Sequence, residues 1–106
     1  MAKNFGDMSG LMKQAQKMQA DLKRVQEDLK DRVVEGKAGG EAVVAYANGA
    51  GQIVQIKIAP GVVDPDEVED LEDLVVAAVR TALDAAKKMA DEETGRITGG
   101  LGLPFG

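Results

Sequence analysis

The sequence predicts an α+β fold in which two long amphipathic helices flank a short antiparallel sheet, and three observations lead to this prediction. From Met8 to Leu29 apolar residues recur at alternating intervals of three and four, the period of a helix that packs against another helix. Residues 33–58 change to the β-branched, alternating pattern of strands separated by glycine-rich turns. The three-and-four spacing then returns in residues 65–93.

The first helix carries an unbroken apolar seam. We define this seam as Met8, Leu11, Ala15, Met18, Leu22, Val25 and Leu29. Asp7 or Ser9 can cap the helix, which should end near Asp31 or Arg32, and residues 1–6 are expected to form a flexible tail. A helix of this length and polarity is not stable on its own and needs a partner along its seam.

Three strand-like segments follow. Residues 33–37 are β-prone, residues 38–40 form a turn, and residues 41–47 and 52–58 are strands joined by a hairpin at Asn48-Gly49. Alternation predicts a core-facing side formed by Val43, Ala45, Val54 and Ile56. The other side is mixed in polarity and is a candidate subunit contact; its members are Val44, Tyr46, Ile53, Gln55 and Lys57.

The second helix begins with a recognisable start signal, in which Asp64 is the cap, Pro65 the first helical residue and Glu67 the third residue after the cap. Its seam comprises Val68, Leu71, Val75, Ala78, Ala82, Ala85 and Met89. The helix should stop at Thr94-Gly95. Residues 95–106 are glycine-rich and are predicted to be a flexible tail, although Ile97, Leu101, Leu103 and Phe105 could dock on a partner.

The lengths of these elements predict self-association. Each helix should span about 40 Å, whereas strands of five to seven residues span about 17–23 Å. Part of each helix therefore extends beyond the sheet with its apolar seam uncovered, and the seams must pair within the chain or between chains. A two-fold homodimer would cover this surface and protect the edge strands.

Composition limits the chemistry available to this single 106-residue domain, which contains no His or Cys. The usual nucleophile–base arrangements cannot be assembled, so we expect no enzyme, cofactor, metal site or small-molecule substrate. Acidic residues crowd residues 64–73, but they do not match a calcium loop, and the helix dipole favours acidic residues there. No segment has the length and hydropathy of a membrane span, and a cytosolic location without membrane contact is expected.

Charge is distributed unevenly along the chain. Residues 1–37 hold eight basic and six acidic residues, whereas residues 60–106 hold four basic and eleven acidic residues. In the first helix Lys13, Lys17 and Arg24 lie opposite the seam, with Lys23 one column over. Such a face can neutralise phosphates, although two helices with ordinary solvated faces would produce the same pattern.

Several segments, taken together, resemble the YbaB/EbfC family of bacterial nucleoid-associated proteins. They are residues 11–19 (LMKQAQKMQ), Asn48-Gly49, residues 56–60 (IKIAP), residues 71–78 (LEDLVVAA) and the GGLGLPF ending at Phe105. The resemblance covers nearly the whole chain in order. It implies an α-β-β-β-α protomer with a three-stranded antiparallel sheet, in a tweezer-shaped homodimer with projecting helices.

The resemblance also implies binding of double-stranded DNA by the projecting helices, in the cytoplasm and nucleoid, with a role in chromosome organisation and gene expression. Carried onto this chain, the DNA contacts fall on Lys13, Lys17, Lys23, Arg24, Lys3, Arg80, Lys87 and Lys88. Independently of the resemblance, the seam and the mixed side of the sheet predict the dimer and helix-packing contacts, which are Leu11, Ala15, Met18, Leu22, Val25, Val44, Tyr46 and Ile53. The alternative is a coiled-coil scaffold that binds another protein and has little affinity for DNA.

Overall fold

The computed structural model describes residues 2–99, with side chains described for residues 8–97. Helix α1 spans Ala2–Asp31, strands β1, β2 and β3 span Val33–Ala38, Val43–Asn48 and Ile53–Ile58, and helix α2 spans Val68–Gly99. A short 3₁₀ turn, Pro60–Val62, links β3 to α2. The α-β-β-β-α order and the three-stranded antiparallel sheet predicted from the sequence are therefore confirmed.

The sheet is a meander in which β2 is central and β1 and β3 are edge strands. Its inner face packs on α2 and carries Val43, Ala45 and Ala47 of β2, all fully buried. On β1 the register places Val34, Gly36 and Ala38 opposite these residues. Because strand side chains alternate, the other face of the sheet presents Glu35, Lys37, Val44, Tyr46, Gln55 and Lys57, and we call it the outer face.

Helix α2 approaches the sheet closely because small residues meet at their contact. Ala78, Ala82 and Ala86 recur every four residues along α2 and are fully buried. Gly36 of β1 lies directly beneath them, and a Cβ at Gly36 would overlap the backbone of Ala78 and Ala82. The absence of side-chain bulk on both sides therefore sets the distance between helix and sheet.

A β-bulge changes the predicted faces of the hairpin. Tyr46 pairs with Gln55 but Ala47 pairs with Ile53, so that Val54 is an additional residue on β3. Strict alternation had placed Ile53 with Val44 and Tyr46, whereas the register places it opposite the buried Ala47. The additional residue, Val54, causes this difference, because one inserted residue moves the next side chain of the strand to the opposite face of the sheet.

The helix ends also differ from the sequence prediction. Helix α1 begins at Ala2 rather than at Asp7 or Ser9. Helix α2 begins at Val68 because Asp64 accepts a hydrogen bond from the Asp66 backbone N–H (2.9 Å), closing a turn before the helix. At its other end α2 continues through Gly95 to Gly99, since a single helical glycine costs only about 1 kcal/mol.

The β2–β3 hairpin holds the end of α1. The backbone N–H of Gly49 donates to the carbonyl oxygens of Leu29 (2.7 Å) and Arg32 (3.1 Å), which lie at the C-terminal end of the helix. The buried Asn48 supports this turn, since its Oδ1 accepts from the N–H groups of Ala50 and Gln52, both at 3.1 Å. The hairpin therefore satisfies carbonyls that a helix end leaves unpaired.

Helices α1 and α2 run side by side in opposite directions beyond the hairpin. A crevice between them is lined by Gln26 and Leu29 of α1 and by Ala90 and Thr94 of α2. Measured from this crevice at 1.5 Å per residue, α1 extends about 40 Å to its N-terminal end. Helix α2 extends about 33 Å in the opposite direction to its own N-terminal end. An antiparallel arrangement of this kind accounts for the 78 Å long axis of the molecule.

Candidate nucleic-acid interface

The part of α1 that projects beyond the end of α2 forms an arm, residues 2–20. Helical spacing places Lys13, Lys17 and Arg24 in one column on the side opposite the seam. All three are exposed, and we call them the basic column. The column extends over about 16 Å of helix, the length of about five base pairs at 3.4 Å each.

The cations of this region are available to an external anion. Among the described side chains, Lys13, Lys17 and Lys23 form no salt bridge, and Arg24 has only a loose contact of 3.8 Å with Asp21. Lys23 lies beside a strip of amide side chains formed by Gln16, Gln19 and Gln26. The column can therefore contact phosphates, and the amides can hydrogen-bond to base edges. The side chain of Lys3 lies outside the described residues.

The basic residues of α2 have a different environment. Arg80 and Lys87 are exposed on the side of α2 turned away from the sheet, but acidic residues share that side with them. These acidic residues are Asp73, Asp84 and Asp91. Lys88 is exposed one column away, with Glu92 four residues further along. Alternating signs of this kind produce a weak net field on this side of α2.

The strongest negative charge lies at the far end of the molecule. Residues 64–73 hold seven acidic residues and no basic residue. They precede and begin α2, near the β1–β2 turn where Leu74 contacts Gly39, whereas α1 leaves the sheet from the opposite turn. The long axis of the molecule is 78 Å, many times the distance of about 8 Å over which charges are screened at physiological salt. The acidic end therefore does not cancel attraction between the arm and an anion.

Burial decreases from the sheet end of the α1 seam to its outer end. Leu29 is 4% exposed, Met18, Leu22 and Val25 are half-buried, and Met8 and Leu11 are 61% and 64% exposed. Ala15 is also exposed. The gradient follows the position of α2, which lies along the C-terminal part of α1 and ends before the arm.

The three sheet residues predicted to form the dimer contact do not share one face, because Ile53 lies opposite Ala47 on the inner face. Val44 and Tyr46 lie on the outer face, where Lys57 approaches the Tyr46 ring at 5.5 Å and Val44 is only 9% exposed. On the same face Lys37 is hydrogen-bonded to Glu41 at 3.0 Å, and this bond, with the attraction of Glu41 and Glu35, raises the pKa of Lys37 above its ordinary 10.5. This face is therefore already occupied by its own charged side chains.

Sequence reasoning missed an apolar surface at the β3 edge. Helix α2 covers β1 and β2 but barely reaches β3, so Ile56 and Ile58 are 39% and 40% exposed although they belong to the inner face. We call Ile53, Ile56 and Ile58 the β3 patch. The alternation of the strand predicts that Ile56 faces the core, but nothing in the neighbouring sequence indicates that α2 covers only β1 and β2.

The described residues contain no helix with the length and hydropathy needed to cross a bilayer.

Comparison with known proteins adds independent information. Residues 4–101 match the model of the YbaB/EbfC DNA-binding family. A nucleoid-associated protein of Acetivibrio thermocellus is 55% identical over 97 residues, which is 92% of this chain and 86% of that protein. A nucleoid-associated protein of Pelotomaculum thermopropionicum is 52% identical over 99 residues, covering 93% and 94% of the two chains.

Among solved structures, the crystal structure of an uncharacterized protein from Helicobacter pylori is similar in fold. Its TM-score is 0.62 at 20% identity, and the match covers 74% of this chain and 90% of that one. At this identity the comparison supports the fold alone.

Proposed function

Because this chain belongs to the YbaB/EbfC DNA-binding family, we propose that it is a homodimeric nucleoid-associated protein that binds double-stranded DNA through the basic column on α1 of each chain. Its relatives are named nucleoid-associated proteins, which supports a place in the nucleoid and a role in chromosome organisation and gene expression. The function proposed is binding rather than catalysis.

The observation that carries this proposal is the exposed basic column on a projecting helix. Lys13, Lys17 and Arg24 are exposed on the side of α1 turned away from its apolar seam, so packing of the seam leaves them accessible. Nothing in this column provides an aromatic platform for unpaired bases, which favours duplex over single-stranded nucleic acid. Recognition would be mainly of the phosphate backbone, with base contacts from Gln16 and Gln19.

Dimerisation is supported by the β3 patch. It combines large exposed apolar side chains with an unpaired strand edge, which is a common origin of association between chains. A second copy related by a two-fold axis would cover the same patch on both chains. Complete burial of a fully exposed side chain of this size is worth about 1.5–3 kcal/mol. The 37–40% of each isoleucine that is still exposed would contribute the corresponding fraction from both chains. A dimer would also present two arms to the DNA.

The experiment is a titration of duplex DNA across ionic strength with two matched triple variants. K13Q/K17Q/R24Q and R80Q/K87Q/K88Q each remove three positive charges, from α1 and α2 respectively. We expect the α1 variant to lose most of its affinity and to reduce the slope of log K against log salt by about 0.9 per lost phosphate contact. The α2 variant should change the affinity and the slope much less.

Unchanged binding in the α1 variant, or equal loss in both variants, would place the interface elsewhere. If the unmodified protein shows negligible DNA binding at about 150 mM salt, near physiological ionic strength, and instead retains a protein partner, the scaffold alternative is correct. Thermal unfolding of each variant separates loss of contacts from loss of fold.

A further inference from the structure

Four exposed residues of α1 form a second line of side chains beside the basic column. Met12, Gln16, Gln19 and Lys23 follow one another at intervals of four, three and four, so a helix with 3.6 residues per turn places them on one side. All four are exposed, and Met12 is 61% exposed although it lies outside the apolar seam. We call these four residues the α1 stripe. Packing of α1 against α2 leaves the stripe open to solvent.

The α1 stripe is separated from the negative charge of the helix. At about 100° per residue, its centre lies roughly 110° around the helix from the centre of the basic column, with the small residue Ala20 between them. Asp21 is the only acidic residue from Met8 to Gln26. It lies on the opposite side of the helix from the stripe, where it is half-buried. Over these residues a polyanion that approaches from the side of the stripe can therefore reach the stripe and the column together.

The angle between the stripe and the basic column matches the shape of the DNA major groove. This groove is about 12 Å wide and admits an α-helix, whose diameter with side chains is about 10–12 Å. A helix in the groove faces the base edges on one side and a phosphate backbone on the neighbouring side. When the stripe faces the base edges, the basic column therefore faces one backbone. The short side chain of Ala20 leaves room between the two contacts.

The chemistry of the α1 stripe suits base edges. A glutamine amide can pair with the N6 and N7 atoms of adenine, a lysine can pair with the O6 and N7 atoms of guanine, and an apolar side chain can contact the methyl group of thymine. Among the described side chains Gln16 and Gln19 form no hydrogen bond, so both amides are available. Contact with a thymine methyl group would also account for the exposure of Met12.

We propose that α1 enters the major groove with the α1 stripe against the base edges, so that Gln16 and Gln19 discriminate between sequences while the basic column supplies affinity. This inference rests on the proposed function and goes further, because it names the groove and the residues that read it. Met12 and Lys23 mark the ends of the contact, about 17 Å apart along the helix, the length of about five base pairs at 3.4 Å each.

The test begins with the unmodified full-length protein and a pool of duplexes of random sequence. We expect selection of bound duplexes to enrich a short site that the protein binds about tenfold more tightly than a scrambled version. Within this site, 7-deazapurines remove the N7 acceptors of the major groove, whereas inosine in place of guanine removes the amino group of the minor groove. Affinity should fall with the 7-deazapurines and be retained with inosine.

A matched pair of variants assigns this readout to the α1 stripe. Gln16→Ala removes an amide from the stripe, whereas Gln14→Ala makes the same change on the nearly opposite side of the helix. Alanine favours a helix, so both variants should fold. We expect Gln16→Ala to lower the preference for the selected site about tenfold, to lose sensitivity to 7-deazapurines and to retain the slope of log K against log salt. Gln14→Ala should resemble the unmodified protein in all three measurements.

The possible failures are distinguishable. Salt-dependent binding without a preferred site, or a preference that Gln16→Ala retains, would overturn this inference and leave the proposed function intact. Sensitivity to inosine alone would also overturn it and assign the contact to the minor groove. Dissociation of the Gln16→Ala protein into monomers in sedimentation velocity would place the stripe between chains, which contradicts the proposal. If the unmodified protein does not bind duplex DNA, both this inference and the proposed function are wrong.

Discussion

The backbone N–H of Gly49 donates to the carbonyl oxygen of Leu29 at 2.7 Å, which joins the β2–β3 hairpin to the last turn of α1. Leu29 is also the most deeply buried residue of the seam. This contact therefore helps to fix where α1 leaves the sheet, and with it the direction of the helix that carries the basic column. The proposed function depends on that direction as much as on the charges themselves.

Substitution of Gly49 by Ala should destabilise the protein, because a Cβ there would lie 2.6–2.8 Å from Leu29 side-chain and carbonyl atoms. We expect a loss of about 1–3 kcal/mol in the free energy of unfolding, the usual cost of overpacking, measured by urea denaturation. Gly10→Ala is the matched control, since no atom lies within 4 Å of the added Cβ and alanine favours a helix. A stable Gly49→Ala variant would show that the hairpin can shift away from α1.

Gly36→Ala should be the more damaging substitution. Its Cβ would overlap the backbone of Ala78 and Ala82 rather than flexible side-chain ends, so the whole helix α2 must move to admit it. We expect a loss of about 3 kcal/mol or more, toward the upper end for overpacked cores. Gly61→Ala, where the added atom meets open space, should leave the unfolding midpoint nearly unchanged. Equal midpoints in the two variants would contradict close packing of α2 on β1.

Arg32, which directly follows α1, should be energetically coupled to Glu93 of α2. The Arg32 guanidinium lies 3.1 Å from Glu93, whose side chain is 19% exposed, and Arg96 reaches the same carboxylate at 3.2 Å. A double-mutant cycle with Arg32→Gln and Glu93→Gln should give a coupling energy of about 0.5–1 kcal/mol, decreasing at high salt. The more exposed Arg96 should couple less strongly in the equivalent cycle. No coupling for Arg32 would mean that the ion pair does not hold α1 to α2.

The proposed dimer should dissociate when a charge is placed in the β3 patch. Ile56→Asp would bury a carboxylate in the interface of each chain, and burial of an unpaired charge is strongly unfavourable. We expect a shift from dimer to monomer in sedimentation velocity at micromolar concentration. Gln55→Asp introduces the same group on the outer face and should remain dimeric. Dissociation by Gln55→Asp alone would assign the interface to the outer face instead.

The elements of the fold were predictable because their signals are local. The three-and-four spacing of the seam requires only the helical period, and Asn48-Gly49 marks the turn between β2 and β3. The helix ends were less predictable. Asp64 resembles a cap but closes a turn before α2, and Gly95 resembles a stop but lies within the helix. Asp favours turns as well as helix caps and a helix tolerates a single glycine, so neither residue type fixes a boundary by itself.

The candidate site, too, was predictable in part. The basic column on α1 follows from residue spacing alone, because helical geometry places Lys13, Lys17 and Arg24 together. The β3 patch does not, since the same alternation that identifies Ile56 as apolar cannot show that α2 stops short of β3. The bulge at Val54 likewise has no sequence signal, and it moves Ile53 from the predicted outer face to a position opposite Ala47.

By itself, the sequence determined the order of helices and strands, the two seams and the separation of basic from acidic residues along the chain. These properties depend on periodicity and on charge counts, which involve near neighbours only. The tertiary structure alone decided which strands α2 covers, where α1 leaves the sheet and how much of its seam remains open. Those outcomes depend on contacts between distant residues, such as Gly36 with Ala82 and Gly49 with Leu29, where the absence of a side chain on one segment allows the close approach of another.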